Sequence, residues 1–513
     1  MDNVVVVGAG PTGLTLACEL AARGVAVEVV ERAEVPSGQS RGGGVNARTA
    51  EMLHMRGMLD AVTARAVPRE GAGGHFAGLP VVLDRTPWRS RFPDGVLIRQ
   101  DRLEAVLEQH ARHLGVAVRR GATLTGLTTG SDGVTATVSG PAGAAQLQAR
   151  FLVACDGGHS TVRKLVGAAF PGRTGTMSAV TGDIALGEVA DSVPRAVGHI
   201  SMLMRTAGGY FMMLHPIGDA DDHTGRYRIV FGGPEQATLP REAPVTAGEI
   251  TRALDAVHPG TTLAQLYGAT RFSDATRQVE QYRHGAVLFA GDAAHIHPPV
   301  GGQGLNLGVQ DAMNLGWKLA AHLSGRAPAG LLDSYHDERH PVGERVIATA
   351  RAQSVLVAAA PDDLNVLALR EIVADMARLP DTNRYLSGLM AGFDIRYPES
   401  GQDDPLLGTR MIDLALDAGE GPTTVAALLR AGRGLLLELG APGSGPTPVA
   451  AGLDRVVARV LASPIGTDLG AGPGVDRVLV RPDGYVAWVG AGPAASPAAA
   501  IRRWFGEPVT VPA

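Results

Sequence analysis

The chain of 513 residues is too long for one compact core, so two or three domains are expected. Apolar residues at 45% and charged residues at 19% exclude a disordered chain. With 46 Lys and Arg against 51 Asp and Glu, the net charge of −5 argues against a nucleic-acid or anionic-membrane partner. The 68 glycines and 33 prolines follow no G-x-y period, so they require many tight turns or many places where backbone meets a ligand. Only Cys18 and Cys155 occur, which leaves no disulfide framework and no cysteine zinc site. Cys18 falls in an apolar helical pattern and reads as a small buried residue. The opening MDNVVVVGAG carries no cationic leader, and no apolar run reaches the ~18 residues of a membrane span. A soluble, cytoplasmic protein is expected.

Val4 to Val7 form a β-branched run typical of a strand buried on both faces. Gly8, Gly10 and Gly13 follow at G-x-G-x-x-G spacing, with Pro11 and Thr12 inside the turn. A helical pattern then ends at Gly24, and VAVEVV (25–30) predicts a second strand with Glu31 at its end. Gly8 permits a tight turn, Gly10 lets backbone approach a pyrophosphate, and Gly13 lets helix and strand pack closely. The helix N-terminus offers unpaired N–H groups and a positive dipole end to the anion. Glu31 is placed to accept from a ribose diol. The unit binds a dinucleotide; NAD and FAD fit it equally.

Residues 38–42, GQSRG, match the G-x-S-x-G of a hydrolase nucleophile, but that elbow needs a strand before the serine and a helix after it. AEVPSGQ is instead a loop. At 151–164, FLVACDGGHSTVRK reads as a strand, Asp156-Gly157-Gly158, and a helix start with Arg163. The stretch 176–274 is β-rich, with strand-like runs MSAVTGDIALGEV, HISMLMR, YFMMLHPIG and RYRIVFGG. Tyr210 to Leu214 suits a pocket wall and ordinary core alike. At 286–318 an apolar strand (Ala286 to Ala290) leads to Gly291-Asp292, a Pro/Gly loop and a long amphipathic helix. An acid ending a buried strand binds sugar hydroxyls, and a glycine loop opening a helix is a second dipole site. His295 and His297 suit packing better than metal binding beside that loop. His336 and His340, four apart in HDERH, match no zinc signature. Helical patterns fill 351–395, and the four scattered Trp lack the W-x-W-x-I-P of flavin halogenases.

The three glycine motifs, in this order, resemble those of the FAD-dependent aromatic hydroxylases, the class A flavoprotein monooxygenases of the para-hydroxybenzoate hydroxylase fold. GQSRGGGVNARTAEML (38–53), FSDATRQVEQYR (272–283), LLDSYHDERHPVG (331–343), NRYLSGLMAGFDIRYP (383–398) and VLVRPDGYVAWVG (478–490) are similar to the branch that modifies tetracyclines, angucyclines, anthracyclines and rifamycins. The resemblance implies an α/β (α+β) fold. A Rossmann-like FAD-binding domain (1–70, 100–175 and 275–350) is interleaved with a β-sheet substrate domain (71–99 and 176–274). Bridging helices (351–399) and a C-terminal thioredoxin-like domain (400–513) follow. The latter has no cysteine, so an interface or scaffold role is what remains for it.

The resemblance also implies roles. Gly8, Gly10, Pro11, Thr12 and Gly13 would hold the FAD pyrophosphate, Glu31 the adenosine ribose, and Arg32 would lie near the adenine. Arg41 would lie by the pyrophosphate or the nicotinamide approach, Gln100 near the flavin chain, and Leu124 would give adenine backbone contacts. Asp156-Gly157 is implicated in FAD and NAD(P)H binding; Gly291 and Asp292 would hold the ribitol. Pro299, Gly301, Gly302, Gly304, Leu305 and Asn306 would line the isoalloxazine. Arg41, Pro299, Gly301 and Gly302 are the candidate catalytic residues, because glycine N–H groups reach the flavin edge unobstructed by a Cβ. LIRQDRLEAVL (97–107) departs from the branch's V-P-Q-x-x-T-E, which alters the substrate side while keeping Gln100.

The implied reaction hydroxylates a polycyclic aromatic polyketide in antibiotic biosynthesis. NAD(P)H, with NADPH favoured, reduces FAD, and O2 adds to give the flavin C4a-hydroperoxide. No protein base is assigned. Antibiotic inactivation, epoxidation, Baeyer–Villiger insertion and non-catalytic flavin binding are the alternatives. A small-molecule substrate is expected without nucleic acid, membrane or metal, in a monomer or homodimer.

Overall fold

A computed structural model describes residues 3–36, 42–67, 73–141, 143–217, 225–240, 242–357, 363–399, 403–419, 421–439, 447–463, 469–470, 472, 474–492 and 495–511. The N-terminal sheet has the order 283–284, 287–289, 151–154, 3–7, 26–31, 117–120. All neighbours are parallel except the edge hairpin Arg283–His284 with Val287–Phe289. Val4, Val5 and Val6 are buried, as a β-branched run between a helical layer and the antiparallel sheet of strands 123–130, 133–140 and 143–149 requires. Strands far apart in sequence, Asn3–Val7, Phe151–Ala154 and Val287–Phe289, are thereby adjacent. Their carboxyl ends carry Gly8, Asp156 and Gly291 to one edge of the sheet, where α/β folds bind ligands.

Helix Pro11–Ala21 crosses helix Gly304–Leu323 at almost backbone distance. A Cβ on Gly308 would stand 2.2 Å from Thr12 Oγ1, and one on Gly316 would stand 2.5 Å from Glu19 Cβ. The second helix differs from the amphipathic one its sequence predicts. Asn306 through Ala320 are all buried, polar residues included. Ala312, Leu315 and Leu319 pack on the parallel sheet, while Leu307, Val309 and Met313 pack into the C-terminal core.

The β-rich region forms an antiparallel sheet of order 204–207, 210–216, 226–232, 178–186, 263–273. Tyr210, Met212 and Leu214 join the core beneath helix Ala247–Val257, and Phe211, Met213 and His215 alternate to the opposite face. The core reading therefore holds for Tyr210, Met212 and Leu214. HISMLMR is a strand only from Met204; Ile200–Leu203 is a helical turn opened by His199, whose ring accepts from Ser201 N–H.

Residues beyond 403 build a mixed sheet of order 422–424, 415–417, 453–460, 434–439, 477–480, 486–490, flanked by helix Ala498–Phe505. A buried charge cluster docks it on the central helices. Glu338 accepts from Arg481 Nη1 at 2.5 Å, Lys318 Nζ at 2.7 Å and Asn314 Nδ2 at 2.6 Å, and Arg481 also pairs with Asp483 at 2.6 Å. Burial pushes the Glu338 carboxyl up, but Arg481 and Lys318 outweigh it and hold it down at about 2. Burial dominates at Lys318 and, aided by Arg481, brings its ammonium down to about 8.

A carboxylate held below its unfolded value stabilises the fold above that value, and the stabilisation fades as protons bind the folded form. Lowering the pH from 4.5 toward about 2 is therefore expected to undock the C-terminal sheet. Fluorescence of Trp504, packed against Trp317 across this junction, reads the step. Glu338→Ala, which leaves buried Lys318 without its carboxylate and Arg481 with Asp483 alone, is expected to cost about 3–5 kcal/mol at neutral pH by thermal or denaturant unfolding.

Candidate active site

The first glycine loop is shaped by two contacts and one gap. Gly8, at φ +110°, lies so close to Cys155 that a Cβ would stand 2.3 Å from its carbonyl oxygen. A Cβ on Gly13 would stand 2.0 Å from Gly8 O. Gly10 has ordinary extended angles and nothing within 4 Å of where its Cβ would be. Packing excludes side chains at the first two, whereas space for a ligand is what Gly10 leaves open. Glu31 braces the loop: its oxygens accept from Ala9 N at 2.8 Å and Ala33 N at 2.9 Å, each retaining a lone pair. Ala122 N donates to Glu31 O, placing buried Leu124 beside this strand end, with Arg32 exposed next to it. Thr12 packs against Gly291 and Gly308, so its side chain serves the helix crossing.

At the neighbouring strand end, Asp156 Oδ2 caps helix Thr161–Val166 by accepting from Thr161 N at 2.7 Å and Val162 N at 3.1 Å. Asp156 Oδ1 is buried and has no hydrogen-bond partner among the described residues. Gly157 leaves open space at its missing Cβ. Arg163 ties two motifs together, donating to Gly158 O at 2.7 Å and Ala293 O at 3.1 Å while its guanidinium stacks on Phe170.

The third strand end is held from below. Asp311, fully buried, accepts from Gly291 N at 3.1 Å, His295 Nε2 at 2.7 Å and Arg339 Nε at 2.8 Å. Burial raises its carboxyl, but Arg339 and His295 outweigh that and set it below the usual carboxylate range. His295 thus packs and hydrogen-bonds beside the loop, and His297 points Nδ1 at Pro298 O. No group of three or more metal-binding side chains occurs among the described residues; the His336 and His340 rings lie 4.9 Å apart, tilted, and both flank Tyr282. Asp292 is exposed, with Oδ1 3.9 Å from where a Gly304 Cβ would be, at the positive end of helix Gly304–Leu323.

Beyond it, Gly302 N donates to Pro299 O at 3.1 Å, with Pro299 exposed and Gly302 open at its missing Cβ. Asn306 fastens this loop to the N-terminal segment, donating to Gly302 O at 3.0 Å and accepting from Asn46 N at 2.7 Å. Gln100 Oε1 accepts from Gly42 N at 3.0 Å, and Gly42 lies against Leu305. Gly301 is walled by Met390 and Gln353: a Cβ there would stand 2.4 Å from the former's methyl carbon. Gln353 Oε1 accepts from Ala77 N at 3.0 Å, and its buried Nε2 has no partner among the described residues. Sequence reasoning missed Gln353, Asp311, Arg339 and His215; a glutamine or aspartate inside an apolar helix is the signal that points to the first two. Arg41, and with it residues 38–41 of the G-x-S-x-G match, lies outside the described residues.

The open face of the antiparallel sheet turns toward this loop. His215, Arg228 and Asp183 are cross-strand neighbours. Arg228 Nε donates to Asp183 at 2.5 Å, and Arg99, which precedes Gln100, lies 3.9 Å from Asp183. Segment 74–83 spans the gap from Met204, against Gly78, to Gln353. His215 donates Nδ1–H to Pro216 O at 3.0 Å, and burial brings its imidazole down to about 4. It is neutral near pH 7 and offers Nε2 as an acceptor.

Two substitutions separate packing from ligand space. Gly13→Ala is expected to destabilise the fold by about 1–3 kcal/mol through overpacking. Gly10→Val is expected to leave thermal stability intact while weakening FAD retention at least about tenfold, read as flavin-to-protein absorbance after gel filtration.

A family model described as FAD binding domain matches residues 1–350, and one described as aromatic-ring hydroxylase, C-terminal, matches residues 404–508. The 12-dehydrotetracycline 5-monooxygenase/anhydrotetracycline 6-monooxygenase of Streptomyces rimosus is 40% identical over 513 residues, 99% of each chain. The rifampicin monooxygenase of Streptomyces venezuelae is 41% identical over 496 residues, 96% of each chain. Among solved structures, CabE, an aromatic hydroxylase from angucycline biosynthesis, superposes with a TM-score of 0.86 at 38% identity, over 99% of this chain and 100% of that one. The open cradle at Gly10 and Gly302, along an edge bearing Glu31, Asp156 and Asp292, suits the long dinucleotide these relationships imply. The chain belongs to the FAD-dependent aromatic-ring hydroxylases and is an FAD-dependent monooxygenase.

Proposed function

We propose that the protein hydroxylates a polycyclic aromatic polyketide in antibiotic biosynthesis, in the cytoplasm, with NADPH as the favoured electron donor. The supporting observation is one continuous edge: three motif-bearing strand ends side by side, faced by the open side of the antiparallel sheet. In this reading Gly8, Gly10 and Gly13 with the Pro11 helix end take the pyrophosphate, and Glu31's spare lone pairs take the ribose. Asp292 takes the ribitol, and Pro299, Gly301, Gly302, Gly304, Leu305 and Asn306 form the wall beside the flavin. Bound FAD supplies two-electron chemistry and activation of O2. The protein's share is positioning and water exclusion. Phe211, Met213 and Val230, on one sheet face, give a flat apolar platform for fused rings. Segment 74–83 closes the site from the other side, away from bulk water, with Phe76 and Leu79 anchoring it on Ala374, Ala377 and Met390. His215 Nε2 accepts a hydrogen bond from a substrate phenol, raising electron density on the ring to be hydroxylated.

The equal likeness to the rifampicin monooxygenase favours antibiotic inactivation as the second reading. A panel of tetracyclic, angucyclic and ansamycin compounds tests both. The expected result is NAD(P)H oxidation stimulated by a fused-ring phenol, with product heavier by one oxygen atom. Turnover of a finished antibiotic, with loss of its potency, selects inactivation; no stimulated oxidation across the panel overturns both. His215→Ala is expected to lower the rate of oxygen transfer about 100-fold while leaving flavin content unchanged, with part of the loss recovered at high pH for substrates that ionise there.

A further inference from the structure

Segment 74–83 is a closed loop with a strained tip. Gly74 and Leu83 exchange both backbone hydrogen bonds, at 3.0 and 2.9 Å. At the far end Leu79 N donates to Phe76 O at 3.0 Å, across Ala77 and Gly78. Both of these residues have positive φ, +50° and +64°, the pattern of a type I′ turn. Glycine suits the second position; alanine does not suit the first, because its Cβ crowds the following carbonyl in left-handed backbone. Such a conformation persists only where the surroundings over-determine it, and Ala77 is wholly buried. Two contacts grip the tip. Met204, at the start of the antiparallel sheet, packs on Gly78, and Gln353 Oε1 accepts from Ala77 N at 3.0 Å.

Gln353 is itself fixed from behind. It lies on helix Ser334–Val357, whose start is held by the buried pairs Arg339–Asp311 and Glu338–Lys318. Its side chain is wholly buried and also touches the Gly301 turn, where a Cβ would stand 3.1 Å from Nε2 and 3.2 Å from Oε1. Because Ala77 supplies an N–H, the amide must present its oxygen to the loop, and its buried amino group is left without a partner among the described residues. A methionine would fill this volume without burying an unpaired N–H, so packing does not explain the amide. What the amide supplies is one link between segment 74–83 and the Gly301 turn. We infer that Gln353 is a positioning residue for oxygen transfer, on the reading that Gly301 walls the flavin and segment 74–83 closes the site. By holding the Ala77–Gly78 tip at the Gly301 turn, it sets the gap in which a substrate ring meets the cofactor. With the ring in place, NAD(P)H, a proton, O2 and the ring C–H give NAD(P)+, the phenol and water. With the ring displaced, NAD(P)H, a proton and O2 give NAD(P)+ and H2O2. A displacement of about 1 Å slows the first outcome about 100-fold and leaves the second, so the split between them reports the gap.

Amide hydrogen exchange and product balance on the FAD-loaded full chain test this. Gln353→Met is expected to speed exchange at residues 76–79 about tenfold, with strand Asn3–Val7 and flavin content unchanged. The coupling arm uses the tetracyclic, angucyclic or ansamycin compound that most stimulates NAD(P)H oxidation by the natural chain. With it, Gln353→Met is expected to keep the oxidation rate within about twofold, while product per NAD(P)H falls at least about threefold and H2O2 rises to match. Gln353→Glu keeps an acceptor oxygen for Ala77 N and lacks the amino group; it is expected to restore both readouts. Should Gln353→Met not fold, Ala77→Val, which puts a β-branched side chain at left-handed φ, is expected to give the same two changes with Gln353 intact. Unchanged exchange at 76–79 in the folded variant overturns the inference alone. So does a loosened tip with unchanged product balance, or a Gln353→Glu chain that behaves like Gln353→Met. A natural chain that no compound stimulates removes the hydroxylase reading, and the inference with it.

Discussion

The closest constraint in this molecule is the contact between the first helix and the central helix. With Thr12 against Gly308 and Glu19 against Gly316, the central helix puts no side chain of its own between the two backbones at two points about two turns apart. The contact also fixes Gly291 on Thr12, so the start of the first helix, the Gly291-Asp292 turn and the start of the central helix share one edge. Two positive helix ends and three strand ends then converge on a single ligand path. Glu19 continues the contact outward: its carboxylate pairs with Arg56 at 2.6 Å, and Arg56 donates to Leu429 O and Pro482 O in the C-terminal region. The helix crossing that gathers the three strand ends thus also seats the C-terminal sheet.

Burying charge next to a cofactor loop carries a desolvation cost, and the central helix bears it twice. Asp311 is offset by Arg339, His295 and a backbone N–H, and Lys318 by Glu338. Each removes a partner's freedom as well as its own. Arg339 further donates to Leu307 O and the Tyr397 hydroxyl, so the loop, the central helix and the stretch leading into the C-terminal sheet move as one body. Gln353 does the same on the substrate side, joining segment 74–83 to the wall of Gly301.

Much of the edge where the three glycine-bearing strand ends meet was legible in the sequence because its cues are local. A β-branched run, glycines at 8, 10 and 13 and an acid at 31 lie within one supersecondary unit, and each obeys a short-range steric rule. The motifs at Asp156 and Gly291 are legible for the same reason. The central helix was misread because amphipathicity is judged against water, whereas Asp311, Asn314 and Lys318 are buried against partners twenty or more residues along the chain, Arg339 and Glu338. Gly8 and Gly10 look equivalent as letters; one is dictated by Cys155 and the other by empty space. His215 carries no motif, and its neutral state comes from burial on a sheet face that only cross-strand register reveals.

The sequence by itself determined the strands, the glycine turns and the acids that end them, since backbone sterics and periodicity act over a few residues. Tertiary structure alone decided that three strands separated by more than a hundred residues are neighbours, and that glycines at 308 and 316 draw two helices together. It also decided that the polar residues of the central helix are buried. Local rules say which residues can approach a ligand or a partner; only long-range packing says which of them are still free to do so.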